Sequence, residues 1–441
     1  MSSRPVVGIR HEDKSPWERR APLGPEHVRS LVAEHGIDVV VQSSPMRVFD
    51  DDAYRQAGAR IAGDLAGCPL VLGVKEIPAA RIVAGTAYMY FAHVTKGQPQ
   101  NMAMLRALLD RGCHLIDYER VVDERRRRLI FFGRFAGLAG MIDTLWALGQ
   151  RLRTSGIQTP LAELRRAHDY ADLSAAKEQV HAVGERLAAE GIPAELRPLT
   201  IGLAGYGNVS QGAQEIVDEL PSAACSPQQL LAGDLATLGP DRHVIKVVFT
   251  EQDMVEPLDL GRPFALQDYY DHPERYRGAF ARYLPKLTVL VNCIYWDRSY
   301  PRLVTRADVS RLYAAGGAAL RVIGDISCDV QGAVEITAKT TSLDQPVFVY
   351  EPERDAVRDG LDGSGPVVMA VDNLPAALPA DATRSFGDVL APFVPTVARA
   401  DFALSREALG LPAELSRGLV VHRGELTPDF AYLKEIIGTQ R

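Results

Sequence analysis

The sequence predicts an α/β protein with two parallel-sheet units in tandem. Three observations carry this. Short apolar runs alternate with helical stretches along both halves, as parallel strands joined by crossover helices require. In mid-chain, Leu199-Thr200-Ile201-Gly202-Leu203-Ala204 runs straight into the glycine turn Gly205-Tyr206-Gly207. The chain has 441 residues, 46% apolar and 24% charged, enough for two or three domains and a large core.

The elements follow in order. Val6 to Ile9 reads as a first strand, Pro25 to Ala33 as a helix and Asp38 to Val41 as a buried strand. Leu70 to Val74, Tyr88 to Phe91 and Leu115-Ile116 read as further strands, with a crossover helix over Met102 to Leu109. Arg125 to Arg128, preceded by Asp123-Glu124, reads as a solvated charged turn entering a strand at Leu129 to Phe132. Ala136 to Ala189 is mostly helical in pattern, broken near Thr154-Ser155-Gly156. Ala188 to Pro193 is a helix stop and a natural domain junction. The second unit opens at Leu199, with later strands at Val244 to Phe249, Thr288 to Val291, Leu320 to Ile323 and Val367 to Val371. Asp359 to Pro366 is loop by composition. Asn373-Leu374-Pro375 and Leu378-Pro379 lead into a last helical region. The segment from Leu231 to Tyr283 is longer than a minimal crossover needs.

Composition excludes several classes. The net charge of −7 argues against a nucleic-acid surface. No apolar stretch is long enough for a signal peptide or a membrane span. The five cysteines (Cys68, Cys113, Cys225, Cys293, Cys328) are scattered and odd in number, with no CxxC pair. Neither a zinc site nor a disulfide framework is suggested, and a reducing cytoplasm fits best.

In an α/β sheet, ligands gather at the carboxyl ends of the strands. Three strand ends in the first half carry reactive side chains: Lys75-Glu76 after Val74, His93 with Lys96 and Gln98 after Phe91, and Asp117-Tyr118-Glu119 after Ile116. A lone Lys or His there is ordinary surface. Several on one edge are a candidate site. Arg19-Arg20 add a carboxylate clamp to the same edge. In the second half, Gly205 permits a tight turn and Gly207 lets the backbone approach a phosphate. Ser210 stands where the dinucleotide fingerprint expects glycine, and an ordinary strand-to-helix turn would look similar.

These residues carry a resemblance. Glu12-Asp13-Lys14, Trp17-Glu18-Arg19-Arg20-Ala21-Pro22-Leu23, Gly73-Val74-Lys75-Glu76 and Phe91-Ala92-His93-Val94-Thr95-Lys96-Gly97-Gln98-Pro99 resemble the lysine–2-oxoglutarate reductases. These saccharopine-forming enzymes belong to the alanine dehydrogenase/transhydrogenase group. The similarity runs collinearly through Phe132-Gly133-Arg134, the glycine turn with Ser210, Asp271-His272-Pro273-Glu274-Arg275-Tyr276, Val291-Asn292-Cys293-Ile294-Tyr295-Trp296, Asp325-Ile326-Ser327-Cys328-Asp329 and Asp372-Asn373-Leu374-Pro375. It implies two Rossmann-like, doubly wound domains with a cleft between them. Residues 1–137 plus 378–441 would bind substrate, and 138–377 would bind the dinucleotide. Animal and plant members fuse this reductase to a second dehydrogenase that consumes saccharopine. The chain, stopping after Leu433-Lys434-Glu435-Ile436-Ile437, looks like the reductase half, with that dehydrogenase as a separate partner.

The implied reaction condenses L-lysine with 2-oxoglutarate and reduces the imine to saccharopine. By resemblance, Lys75 and His93 are the acid–base catalysts. Arg20 and Lys96 bind substrate carboxylates, with Gln98 and Arg134 as weaker choices. Glu76 and Glu119 tune the charges, and Lys14 adds charge at the rim. Gly205, Gly207, Asn208 and Val209 would hold the pyrophosphate. Ile294, Tyr295, Asp325, Val371, Asp372, Asn373 and Leu374 would line the nicotinamide side, and no metal is implied. The second strand's end, Ser222 to Pro227, holds no acid, which favours NADP, with NAD as the alternative. Arg242 and Lys246 are the candidates for gripping a 2′-phosphate. Three other readings compete: an NAD-linked, lysine-forming saccharopine dehydrogenase, an opine-type reductive aminase with another amine or keto acid, and a non-enzymatic dinucleotide sensor.

Overall fold

Strands form where the apolar runs lie. The computed structural model describes residues 4–316 and 319–439. Its strands are β1 (Val6–Ile9), β2 (Asp38–Gln42), β3 (Arg60–Ala62), β4 (Leu70–Leu72), β5 (Ala87–Tyr90), β6 (His114–Asp117), β7 (Thr200–Ala204), β8 (Ser222–Cys225), β9 (Val244–Phe249), β10 (Val255–Pro257), β11 (Tyr276–Gly278), β12 (Val289–Asn292), β13 (Val322–Asp325), β14 (Val347–Glu351), β15 (Ala356–Asp359), β16 (Val367–Met369), β17 (Leu419–His422) and β18 (Glu425–Leu426). The chain divides into two units, Met1–Phe132 with Pro379–Arg441, and Gly133–Leu378. Each holds one eight-stranded, mostly parallel sheet, so the predicted α/β class with two doubly wound sheets is observed.

In the first unit the order is β18-β17-β6-β5-β4-β1-β2-β3. β1 to β6 are parallel, and β17 pairs antiparallel with β6. Helices Pro25–Ala33 and Pro99–Asp110 bury Val28, Leu31, Met102, Leu105 and Leu108. Two expectations fail here. Leu129 to Phe132 is not a strand, because the place beside β6 is taken by β17. The preceding charged turn does form, with Asp123 accepting the Arg125 and Arg127 amides. The last segment is therefore not wholly helical, since it supplies β17 and β18.

In the second unit the order is β15-β14-β16-β13-β12-β7-β9-β8, with β14 and β15 antiparallel. The strand next to β7 is β9, not β8. Burial explains the choice: β9 (VIKVVF) hides four of its six residues, whereas β8 is mostly half-buried or exposed and takes the edge. The helix stop at Gly191 ends helix Leu173–Glu190 inside this unit, so 188–193 is not a domain junction. The long helix Gly133–Thr154 lies against helix Asn208–Val217 through glycines. A Cβ on Gly137 would stand 1.9 Å from the Val209 carbonyl oxygen, and one on Gly212 would stand 2.1 Å from that of Arg134. The small-residue contact expected at position 210 is thus made by Gly212 and Gly137.

Candidate active site

In the first unit, the carboxyl ends of β1, β4, β5 and β6 bring together charged side chains from distant parts of the chain. Glu12, fully buried, accepts the backbone amides of Val74 (2.8 Å) and Lys75 (2.9 Å), and so fixes the chain at Lys75. Glu76 accepts Lys14 Nζ at 2.7 Å and pairs with His93 Nδ1 at 2.7 Å. With Nδ1 facing a carboxylate, Nε2 is the nitrogen left to exchange a proton. His93 sits at φ +48, unusual for a side-chain-bearing residue, and Asn101 Nδ2 holds its carbonyl at 3.0 Å. Such backbone strain is retained where neighbouring contacts over-determine it.

The electrostatics differ from group to group. Lys75 is half-buried, and its amine lies below its ordinary value because of burial first and the Arg20 charge next. Burial alone would raise Glu76, but the hydrogen bonds from His93 and Lys14 win and hold it at about 2. Glu12 is pushed up to about 7 by burial, against the pull of Arg10. Asp117 is likewise pushed up to about 7 by burial and by Glu119, while His93 pulls the other way. The edge therefore carries a weakened ammonium, an anchored imidazole and a carboxylate whose charged form is favoured.

Other predicted residues take different places. Arg20 is buried: Nε and Nη2 bind Glu18 at 2.7 and 2.6 Å, and its guanidinium lies 4.3 Å from the Phe132 ring centroid. It is not an exposed clamp, although its charge is felt by Lys75. Lys96 is exposed, and Gln98 caps its amide at 3.2 Å. Glu119 pairs with Arg128 at 3.2 Å. Arg134 belongs to the second unit, where it forms a fork with Glu215, which Lys177 shares. Sequence reasoning assigned no role to Glu12, Glu18, Asp117 and Asn101. Glu12 and Glu18 follow β1, and that placement was the available signal.

The second unit carries the glycine turn. Gly205 has φ +95, which favours glycine, and a Cβ on Gly207 would meet open space at the start of helix Asn208–Val217. Both features fit a dinucleotide's pyrophosphate. Asn208 is exposed and Val209 half-buried beside them. A cavity of about 310 Å³ opens at the turn, lined in part by Tyr206, Glu251, Tyr270, Ile294 and Tyr295. Asp325 is buried; its carboxylate takes bonds from Asn292 (2.8 Å) and Thr337 (2.6 Å), and Asn292 Oδ1 accepts the Ile294 amide. Through Asn292 it braces the Ile294 turn. Val371 and Leu374 are buried, Asp372 is exposed, and Asn373 lies in the left-handed region at φ +72.

The strand order bears on the coenzyme expectation. The position that reads the ribose lies at the end of the strand beside the first one. That strand is β9, and Thr250-Glu251 follow its carboxyl end, while Ser222 to Pro227 lie on and just after β8 at the edge of the sheet. Arg242 precedes β9 and binds the Ala188 carbonyl, and Lys246 pairs with Asp218, so neither awaits a phosphate. Among the described residues, no group of three or more His, Cys, Asp or Glu is arranged for a metal, and no helix is long and apolar enough to cross a membrane.

The chain is similar to several known proteins. "Alanine dehydrogenase/PNT, N-terminal domain" matches residues 8–139 and "Alanine dehydrogenase/PNT, C-terminal domain" matches 271–429. The chain is 38% identical to an alpha-aminoadipic semialdehyde synthase of Arabidopsis thaliana, over 97% of this chain and 41% of that protein. It is 34% identical to the mitochondrial one of Rattus norvegicus, over 99% of this chain and 48% of that protein. It thus spans less than half the length of these two. It is 25% identical to a saccharopine dehydrogenase (NAD(+), L-lysine-forming) of Emericella nidulans, over 88% of this chain and 90% of that protein. An L-alanine dehydrogenase structure shares the fold at TM-score 0.62 and 18% identity, covering 99% of this chain and 100% of its own. The transhydrogenase of Sinorhizobium meliloti shares it at 0.58 and 17%, covering 96% and 100%.

Proposed function

From the premise that the chain belongs to the alanine dehydrogenase/PNT family, we propose that it is an oxidoreductase that joins L-lysine to 2-oxoglutarate and reduces the imine to saccharopine. The observation that carries this reading is the Lys75–Glu76–His93 cluster, in a chain similar to alpha-aminoadipic semialdehyde synthases and saccharopine dehydrogenases.

A free lysine amine has a pKa near 10.4, so reaching its nucleophilic form at pH 7 costs about 4–5 kcal/mol. The weakened Lys75 amine and His93 Nε2 share the proton traffic: one takes the proton from the substrate ammonium, the other returns one to the carbinolamine hydroxyl as it leaves as water. Glu76 keeps the imidazole oriented. Lys96 and Lys14 meet substrate carboxylates, with the Arg20 charge behind them. Gly205, Gly207, Asn208 and Val209 would hold the coenzyme, whose nicotinamide supplies the hydride.

NADP is the coenzyme that the sequence favours, but the premise was an acid-free strand end. Beside β7 lies β9 instead, with Glu251 after its carboxyl end, and the cavity lining contains no Lys or Arg. A 2′-phosphate would meet a carboxylate and no counter-charge, so NAD(H) is the coenzyme this reading adopts. The same observation favours a second reading, the NAD-linked, lysine-forming direction named for the fungal relatives.

The test is a coupled assay with L-lysine, 2-oxoglutarate and either NADH or NADPH, followed by saccharopine with NAD⁺. Oxidation of NADH only when both substrates are present is expected. Turnover with ornithine, glutamate or pyruvate, but not with lysine and 2-oxoglutarate, would replace this reading with another reductive aminase.

A further inference from the structure

Resting on the NAD(H) reading, we infer that Tyr270, from the long segment after β9, is a positioning residue that sets coenzyme preference by aiming Glu251. Glu251 opens a four-residue helix (Glu251–Met254) at the carboxyl end of β9. Its Oε1 accepts the Tyr270 hydroxyl at 2.7 Å and, weakly, the Tyr206 hydroxyl at 3.5 Å. Tyr206 belongs to the glycine turn itself, so the carboxylate is tied to the place where a pyrophosphate would lie. Among the described residues nothing binds Oε2, which leaves that oxygen for a ribose hydroxyl.

The segment is built to hold Tyr270 in place. Helix Leu266–Asp271 carries it, and its neighbour Tyr269 packs on Tyr276 (5.3 Å) and Tyr300 (5.3 Å). Tyr276 donates to Asp268 Oδ2 at 2.9 Å, which pins the helix. Tyr270 itself stays 44% exposed and faces the cavity. The ring fills one wall, and the hydroxyl fixes the one formal charge on the lining. The extra length of the segment thereby gains a purpose, since it delivers a phenol to the carboxylate that reads the ribose.

The experiment is equilibrium binding of NADH and of NADPH, read by coenzyme fluorescence without substrates. Chains are the parent, Tyr270→Phe, Glu251→Gln and the double variant. Tyr270→Phe keeps the ring and loses the hydroxyl. Expected is a loss of NADH affinity of roughly tenfold, as for a hydrogen bond to a charged group, with NADPH changed less than twofold. Expected too is no further loss when Tyr270→Phe is added to Glu251→Gln. If Tyr270→Phe leaves the NADH/NADPH ratio at the parent value while Glu251→Gln collapses it, the inference is overturned and the coenzyme reading stands. If Glu251→Gln leaves the ratio unchanged, the coenzyme reading falls and the inference with it. Equal weakening of both coenzymes by Tyr270→Phe overturns the inference, because a wall residue would act that way. Circular dichroism of each variant, with Tyr206→Phe as a milder variant expected to move the ratio the same way, keeps a folding defect from passing as a binding effect.

Discussion

The two sheets run parallel strands through the same kind of crossover, yet their carboxyl edges are made of different matter. In the first unit the edge is side chains: Glu12, Lys75, Glu76, His93 and Asp117, with several of their ionisations displaced. In the second, the cavity at the glycine turn is backbone and phenol: two glycines, tyrosines and, as the one carboxylate of its lining, Glu251. Strand order differs as well. β3-β2-β1-β4-β5-β6 sets the second strand beside the first, whereas β8-β9-β7-β12-β13-β16 sets the third beside the first and the second outside it. On the proposed reading, one edge moves protons and the other holds a dinucleotide.

The contrast is open to attack at each edge. The largest expected effect is His93→Asn, which should lower kcat by roughly 10²–10⁴-fold, the usual worth of a general acid or base. Unaltered NADH binding should accompany it, and a kcat near the parent's would erase the distinction between edges. Next comes Arg20→Met. It strands the Glu18 carboxylate in the interior, and breaking such a pair costs about 3–5 kcal/mol. A drop in Tm is expected, partly recovered by adding Glu18→Gln; a stable protein with only a raised keto-acid KM would restore Arg20 as a clamp. Gly205→Ala should be smaller, about 1–3 kcal/mol for a side-chain-bearing residue at φ +95. It should weaken NADH binding while leaving the His93 edge intact.

The smallest effect concerns pH and the first unit alone. His114 is buried against Phe402 and His422, and burial, then the His422 charge, lowers it to about 4. An unfolded imidazole takes its proton near 6.5. The favourable contribution is therefore complete above pH 6.5 and disappears as pH falls through about 4. His114→Phe should flatten this acid limb by ~2–4 °C in Tm. An unchanged slope would show that the His114 imidazole does not titrate with unfolding.

Much of this was legible in the residues. Alternating apolar runs located β1, β2, β4 to β7, β9, β12, β13 and β16, because buried parallel strands leave the plainest pattern. The antiparallel additions did not show: β14 with β15, and β17 with β18, are defined by what they pair with rather than by their own composition. The candidate edge was visible because Lys75, His93 and Glu119 each follow an apolar run. Glu12 and Glu18 were hidden because a buried acid looks like a surface acid until its partners are known. The coenzyme expectation was drawn from chain order. Chain order named β8 as the second strand, but the greater burial of β9 sets it beside β7, and no local signal in Ser222 to Pro227 reports that.

Whether the first unit's edge performs the proton transfers is decided most directly by Lys75→Met, with kcat for L-lysine plus 2-oxoglutarate and the NADH dissociation constant measured on the same sample. A fall in kcat of about a hundredfold or more with an unchanged dissociation constant is the predicted result. A kcat within a few-fold of the parent would contradict it.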